Sequence, residues 1–157
     1  MTVVWRIATD TPSYVAEDMS GAGAKATGGR WNRSGTPVVY CSSSIALACL
    51  ETVVHLNAGA LPLNRYLVEI DIPDDIWAAA QVLTESTAPV GWDAVPPGKV
   101  SLDFGEDWNA RKNEALLVVP SIIVPEEANV LINPSHADVA RIIARKLRRW
   151  HYDPRIP

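Results

Sequence analysis

In the stretch TGGRWNRSGTPVVYCSSSIALACLETVVHL, residues 27 to 56, an oily run of chain carries one carboxylate, Glu51. On a helical wheel, at about 100° per residue, Ile45, Ala48, Cys49, Thr52, Val53 and Leu56 share one side. Leu47, Leu50 and Val54 lie nearly opposite, and a helix apolar on both sides is expected to be buried on both. Glu51 occupies the remaining strip with Ser44 and His55. Two readings stay open at this point. The carboxylate borders a narrow solvent window, where an i,i+4 pair with His55 is worth a few tenths of a kcal/mol, or it faces a pocket. An unpaired buried carboxylate costs several kcal/mol, so the pocket reading needs a partner, and Arg30 upstream is the obvious one.

Other signals are weaker. GAGAKA (21–26) resembles a dinucleotide-binding fingerprint, but that motif needs a strand before it and a helix after it, and neither is expected here. Neither a Walker-type phosphate loop nor a Gly-x-Ser-x-Gly elbow occurs. His55, His136 and His151 are scattered without metal-ligand spacing, so no metal is expected. Arg141, Arg145, Lys146, Arg148 and Arg149 cluster near the end of the chain, where cations favour a helix C-terminus. A solvated face accounts for them, and a patch for nucleic acid or an acidic partner is the alternative.

The elements that must position these groups follow from hydrophobic period and turn chemistry. Residues 3–8 read as a first strand, 12–18 as a short helix, and 20–29 as a small-residue loop. TPVVYCS (36–42) is β-branched and aromatic, a second strand. A helix follows from about Ser44 to Leu56, capped by Ser43 or Ser44. RYLVEIDI (65–72) alternates as a half-buried strand does. A helical piece spans 76–82, and 84–105 reads as a long irregular loop of the functional or mobile kind. Two more strands are expected within 113–125, ending at Pro120, and over 128–134. A last helix starts at Ser135, with Asp138 as capping-box partner and Val139, Ile142, Ile143, Leu147 and Trp150 as its stripe. Strands with few helices in mixed order imply one α+β domain over residues 1–157.

Composition sets outer bounds. The 157 residues are 48% hydrophobic and 20% charged, ordinary for a globular domain. A net charge of −4 gives no global field toward nucleic acid or anionic lipid. With no leader pattern, no membrane-length apolar run, and Cys41 and Cys49 outside any metal or redox spacing, a cytoplasmic protein with reduced thiols is expected.

Several segments together resemble the RES-domain family, toxins of bacterial toxin–antitoxin pairs. They are WRI (5–7), GGRWNRSGTPVVYCSSSIALACLE (28–51), GEDW (105–108), ALLVVPSIIVPEEANVLINPSH (115–136) and DPRI (153–156), in the family's order across nearly the whole chain. The resemblance implies a compact mixed-sheet fold similar to ADP-ribosylating toxins, and NAD+ as substrate. It implies that the toxin destroys NAD+ by hydrolysis or phosphorolysis, or transfers ADP-ribose to a protein. The implied partner is an Xre-like antitoxin that covers the cleft, with DNA contacted only through that antitoxin and a homo-oligomer allowed in the complex. The family's Arg falls on Arg30, its Tyr on Tyr40, its Glu on Glu51 and, by the Val-Pro-Ser context, its Ser on Ser121, with Ser42, Ser43 and Ser44 also near the implied cleft. Arg6 and Asn133 fall on further positions of the NAD site, and Gly28, Gly29 and Trp31 flank the arginine.

The implied chemistry suits these residue types. Breaking the nicotinamide–ribose bond leaves positive charge on the sugar, which Glu51 would stabilise. Nicotinamide leaves neutral and needs no proton. Arginine offers a planar fork to phosphate oxygens, and glycines allow close backbone approach. Transferases of this kind often carry an acid or Gln two positions before the Glu. Here that position is Cys49, which favours water or phosphate as acceptor. A reading of another class, a binding module using the basic C-terminal helix, would leave function intact in Glu51→Ala and abolish it on charge reversal at Arg145 and Arg149.

Overall fold

The computed structural model describes residues 1–56 and 62–156. Seven strands form one sheet: β1 (Thr2–Thr9), β2 (Val39–Ser42), β3 (Arg65–Ile72), β4 (Gln81–Val82), β5 (Leu116–Pro120), β6 (Ala128–Ile132) and β7 (Ile143–Arg149). Their spatial order is β4-β5-β6-β2-β1-β3-β7. The β4/β5 pair is parallel and the others are antiparallel, so the sheet is mixed. Four helices accompany it: α1 (Ala22–Thr27), α2 (Ile45–Val53), α3 (Asp74–Ala78) and α4 (Lys99–Arg111). The α+β class expected from the sequence is the class observed.

Strand alternation sorts the side chains onto two faces. Val4, Ala8, Val39, Cys41, Val68, Ile70, Ile72, Val118, Val130 and Ile132 fill the main core on one face. Each fully buried aliphatic of this kind contributes about 1.5–3 kcal/mol. The other face carries two separate clusters. Ile7 and Leu67, with Trp5 at their border, pack under Ile45, Ala48 and Cys49 of α2. Leu117, Val119 and Leu131 pack under Trp31, Trp92 and Trp108. Ser42 and Asn129, paired across β2 and β6, belong to neither. A polar seam therefore runs between two oily mounds.

Four expectations are corrected. Residues 12–18 form turns, and the helix lies instead at α1, inside the stretch read as a loop. No strand leads directly into GAGAKA, since turns and bends separate it from β1, so the dinucleotide fingerprint stays rejected. The loop over 84–105 ends at Gly98, where α4 begins. Residues 76–82 divide between the end of α3 and the short edge strand β4.

The largest departure is at the C-terminus. His136, not Ser135, caps a 3-10 turn at Ala137–Arg141, its side chain accepting from the Asp138 N–H. The chain then runs on as β7, not as a helix. The free edge of β3 decides this, because it offers backbone partners along its length and carboxylates on its surface. Arg145 pairs with Glu69 and Asp71, while Lys146 pairs with Asp10 and lies over the Tyr66 ring. Two members of the supposed stripe, Ile143 and Leu147, stay about half exposed, at 50% and 48%. The binding-module reading thus loses the helix it invoked. Cations along an exposed edge strand also discourage unwanted pairing.

Candidate active site

The α2 helix brings Glu51 over the seam. Ser44 caps the helix, its hydroxyl accepting from the Leu47 N–H at 3.1 Å. Leu47 is buried, but Leu50 and Val54 are 42% and 58% exposed, so the helix is covered on one side and not on both as expected. Glu51 is half-buried at the border.

Its partners are neutral donors and not the arginine expected from the sequence. The Ser121 hydroxyl donates to Glu51 Oε1 at 2.7 Å, and Asn129 Nδ2 donates to the same oxygen at 2.8 Å. Ser121 is fully buried just beyond β5, and its oxygen accepts from the Ile123 and Val124 N–H groups at 3.1 and 3.2 Å. With both lone pairs engaged, its proton is left to point at Glu51. Asn129 Oδ1 accepts from the Ser42 hydroxyl at 2.8 Å, which turns the amide nitrogen toward the carboxylate. Among the described residues, no protein hydrogen bond reaches Glu51 Oε2.

Arg30 stands nearby without touching the carboxylate. Its Nη1 donates to the carbonyls of Trp92 and Ala94 at 3.0 and 2.7 Å. Burial lowers the guanidinium pKa from its ordinary value, while the charges of Glu51 and Asp93 pull it back up. Glu51 and Arg30 therefore feel each other electrostatically without forming an ion pair.

Tyr40 is occupied by its own chain. Its hydroxyl donates to Asn32 Oδ1 at 2.6 Å and accepts from the Trp31 N–H at 3.1 Å. Burial raises its pKa. The glycine pair is explained by the same contacts. Gly28 holds φ +74, and a Cβ on Gly29 would lie 2.8 Å from the Tyr40 hydroxyl oxygen. An open depression of about 400 Å³ adjoins the pair, lined by Gly28, Gly29, Asn32, Arg33, Pro97 and Leu102 among others.

The remaining expected residues are not brought to the seam. Trp31 is 2% exposed, stacked on Trp92 at 6.3 Å with Phe104 at its edge. Asn133 is fully buried, donating to the Asn109 carbonyl at 2.9 Å and accepting from the Ser135 N–H at 3.0 Å. Arg6 alternates with Trp5 and Ile7, which puts it on the main-core face beside Cys41, and its buried Nε finds no partner among the described residues. Asn129 went unseen in the sequence, and Ser42 entered only as one of three serines near the cleft, without its partner. Their signal is a polar pair placed opposite one another on neighbouring buried strands, visible only once the register is known.

Comparison with known proteins places the chain in a family. The RES domain family model matches residues 3–154. A Sphingobium sp. protein described as a Prs ADP-ribosylating toxin is 63% identical over 155 residues, covering 99% of this chain and 96% of its own. A Toxin Res from Photorhabdus laumondii is 39% identical over 130 residues, covering 83% and 81% of the two chains. The fold is similar to that in the M. tuberculosis MbcT–MbcA toxin–antitoxin complex, with a TM-score of 0.66 at 15% identity over 94% of this chain and 84% of the other. With a family match over almost its full length and relatives of this similarity, the chain belongs to the RES domain family.

Proposed function

We propose that the protein is the toxin of a toxin–antitoxin pair, an enzyme that takes NAD+ as substrate, breaks its nicotinamide–ribose bond and passes the ADP-ribosyl group to a protein. The observation that carries this reading is the fixed carboxylate of Glu51, with two donors converging on Oε1 and no hydrogen bond from the described residues on Oε2. As nicotinamide leaves with the bonding electrons, the ribose becomes oxocarbenium-like. Glu51 Oε2 is the group available to steady that charge and to receive a ribose hydroxyl. Preorganised electrostatics of this sort commonly contributes about 10²–10³ in rate.

Arg30 supports the diphosphate. Its Nη1 is fastened to two carbonyls, while its Nε and Nη2 make no hydrogen bond to the described residues and present a fork suited to phosphate oxygens. Tyr40 offers its ring and not its committed hydroxyl to the nicotinamide. The depression beside Gly28 and Gly29 offers room for the rest of the dinucleotide. Trp31, Asn133 and Arg6 are then supports of the fold and not contacts of the substrate.

Transfer to protein is supported by the Sphingobium relative, whose name states that it ADP-ribosylates Prs. The second reading is release to water or phosphate, supported by Cys49 two positions before Glu51. The antitoxin is proposed as Xre-like and seated over the seam, with DNA bound only through it. Free thiols at Cys41 and Cys49 fit a cytoplasmic location, and no helix among the described residues is long and apolar enough to cross a membrane.

Purified protein incubated with adenylate-labelled NAD+ and Prs tests the reaction, its acceptor and the role of Glu51 together. Label on Prs, absent with Glu51→Ala, is the expected result. Label recovered as free ADP-ribose or its 1″-phosphate would move the reading to hydrolysis or phosphorolysis. Intact NAD+ under every condition would end it.

A further inference from the structure

We infer that Asn129, oriented by Ser42, is a positioning residue that sets the direction in which the Glu51 carboxylate presents its charge. This rests on the reading of Glu51 as the carboxylate that meets the ribose.

A carboxylate on a half-buried helix can rotate about its last bond, and each rotation moves the charge relative to a fixed sugar. Two donors converging on Oε1 remove that freedom. Ser121 comes from the turn after β5 and Asn129 from β6, so the carboxylate is gripped from two neighbouring segments of the same sheet. An Asn has two ends of almost equal shape, one donating and one accepting. What distinguishes them here is the Ser42 hydroxyl, 3% exposed, which donates to Asn129 Oδ1 and leaves Nδ2 facing Glu51. Reversed, the amide would set its carbonyl oxygen against the carboxylate, and Glu51 would swing away. The relay Ser42 to Asn129 to Glu51 crosses from β2 to β6 in register and then rises to α2. Ser42 is committed to Asn129 and Asn129 to Glu51, so both act through Glu51.

Consequences follow for turnover and not for binding. Asn129→Asp keeps the shape and replaces the donor with a second carboxylate. Two carboxylates sharing a site cannot both ionise easily, so one pKa rises. The acid limb of the pH–rate profile should move to higher pH. A hydrogen bond to a charged group lost in the transition state lowers kcat about 10- to 100-fold, with KM for NAD+ held within about threefold. Ser42→Ala should lower kcat about two- to tenfold through the freed amide, without moving the acid limb.

The measurement is steady-state nicotinamide release by the full chain, wild type beside Asn129→Asp and Ser42→Ala, over a range of pH, with melting temperature as the check on folding. A fall in kcat with steady KM in both variants, and a raised acid limb in Asn129→Asp, is expected. Wild-type kcat and an unmoved limb in folded variants would overturn the inference, as would a rise confined to KM. Should Asn129→Asp fail to fold, kcat of Ser42→Ala decides. If wild type itself releases no nicotinamide, the proposed function falls instead, so the two failures are distinguishable.

Discussion

The Ser121 hydroxyl has three hydrogen-bonding positions, and all three are used, two by backbone N–H groups and one by Glu51. A serine in this state serves the turn and the carboxylate at once. Ser121→Ala should therefore do double damage. Leaving two half-buried N–H groups without an acceptor costs about 1–3 kcal/mol of stability. The loss of one donor to Glu51 lowers kcat about tenfold or more. A denaturant titration and nicotinamide-release kinetics read the two effects separately, and a variant destabilised but fully active would show that Ser121 serves only the turn. Glu51 was legible in the sequence because a lone acid in an oily helix demands an explanation. Of its partners, Ser121 entered only through the resemblance and Asn129 not at all. Charge pairing suggests Arg30, yet an ion pair would neutralise the charge that a developing cation needs. Neutral donors orient the carboxylate and leave that charge in place. Ser42 and Asn129 lie 87 positions apart, and only the β2/β6 register shows that they meet.

At the scale of elements, α4 teaches why some of the fold was hidden. Its buried face is Ser101, Gly105, Trp108 and Asn109, mostly small or polar, so no apolar stripe announces a helix. Pro96, Pro97 and Gly98 just before it strengthen the appearance of a loop. Gly105 is required by close approach, since a Cβ there would lie 1.8 Å from the Trp31 carbonyl oxygen. Gly105→Ala should consequently push α4 off Trp31 and destabilise the protein by about 1–3 kcal/mol or more, the usual cost of overpacking. The displacement would also reach Arg30, the next residue along, so activity should fall further than stability explains. Calorimetry and NAD+ turnover on the one variant check both parts, and an unchanged melting temperature would mean that α4 does not pack as described. β1, β2, β3, β5 and β6 were legible because their alternation or continuous apolar runs are imposed by burial on one face or both. β7 was misread for the opposite reason. An edge strand held by ion pairs has no apolar period to enforce, and five apolar residues happened to fall at helical spacing.

For the whole molecule, ion pairs fasten the periphery to the sheet and set the pH range in which it stays folded. A hydrogen bond from Lys146 on β7, then one from the Ala16 N–H, holds the Asp10 carboxyl below its ordinary pKa. Arg141 does the same to Asp75 on α3, and Lys99 with Arg33 does so to Asp103 on α4. These carboxylates stay ionised in the folded chain at pH values where the unfolded chain takes up protons. Their stabilisation is thus complete above the unfolded Asp value of about 3.9 and is lost as pH falls through the lower folded values. The alkaline side is set differently. Burial pushes the Cys41 thiol up to about 12, whereas an unfolded cysteine ionises near about 8.5. Above that point the unfolded chain releases a proton that the folded chain keeps, and stability declines as pH rises toward the folded value. Lys146, raised mainly by its bond to Asp10, adds to the decline above its unfolded value of about 10.4. The urea midpoint should accordingly be level from about pH 5 to about pH 8 and fall on both sides. Asp10→Asn should lower the plateau and shallow the acid slope, while Cys41→Ala should shallow the alkaline one. A midpoint that stays constant from about pH 3 to about pH 10 would show that neither the peripheral pairs nor the buried thiol couples to folding.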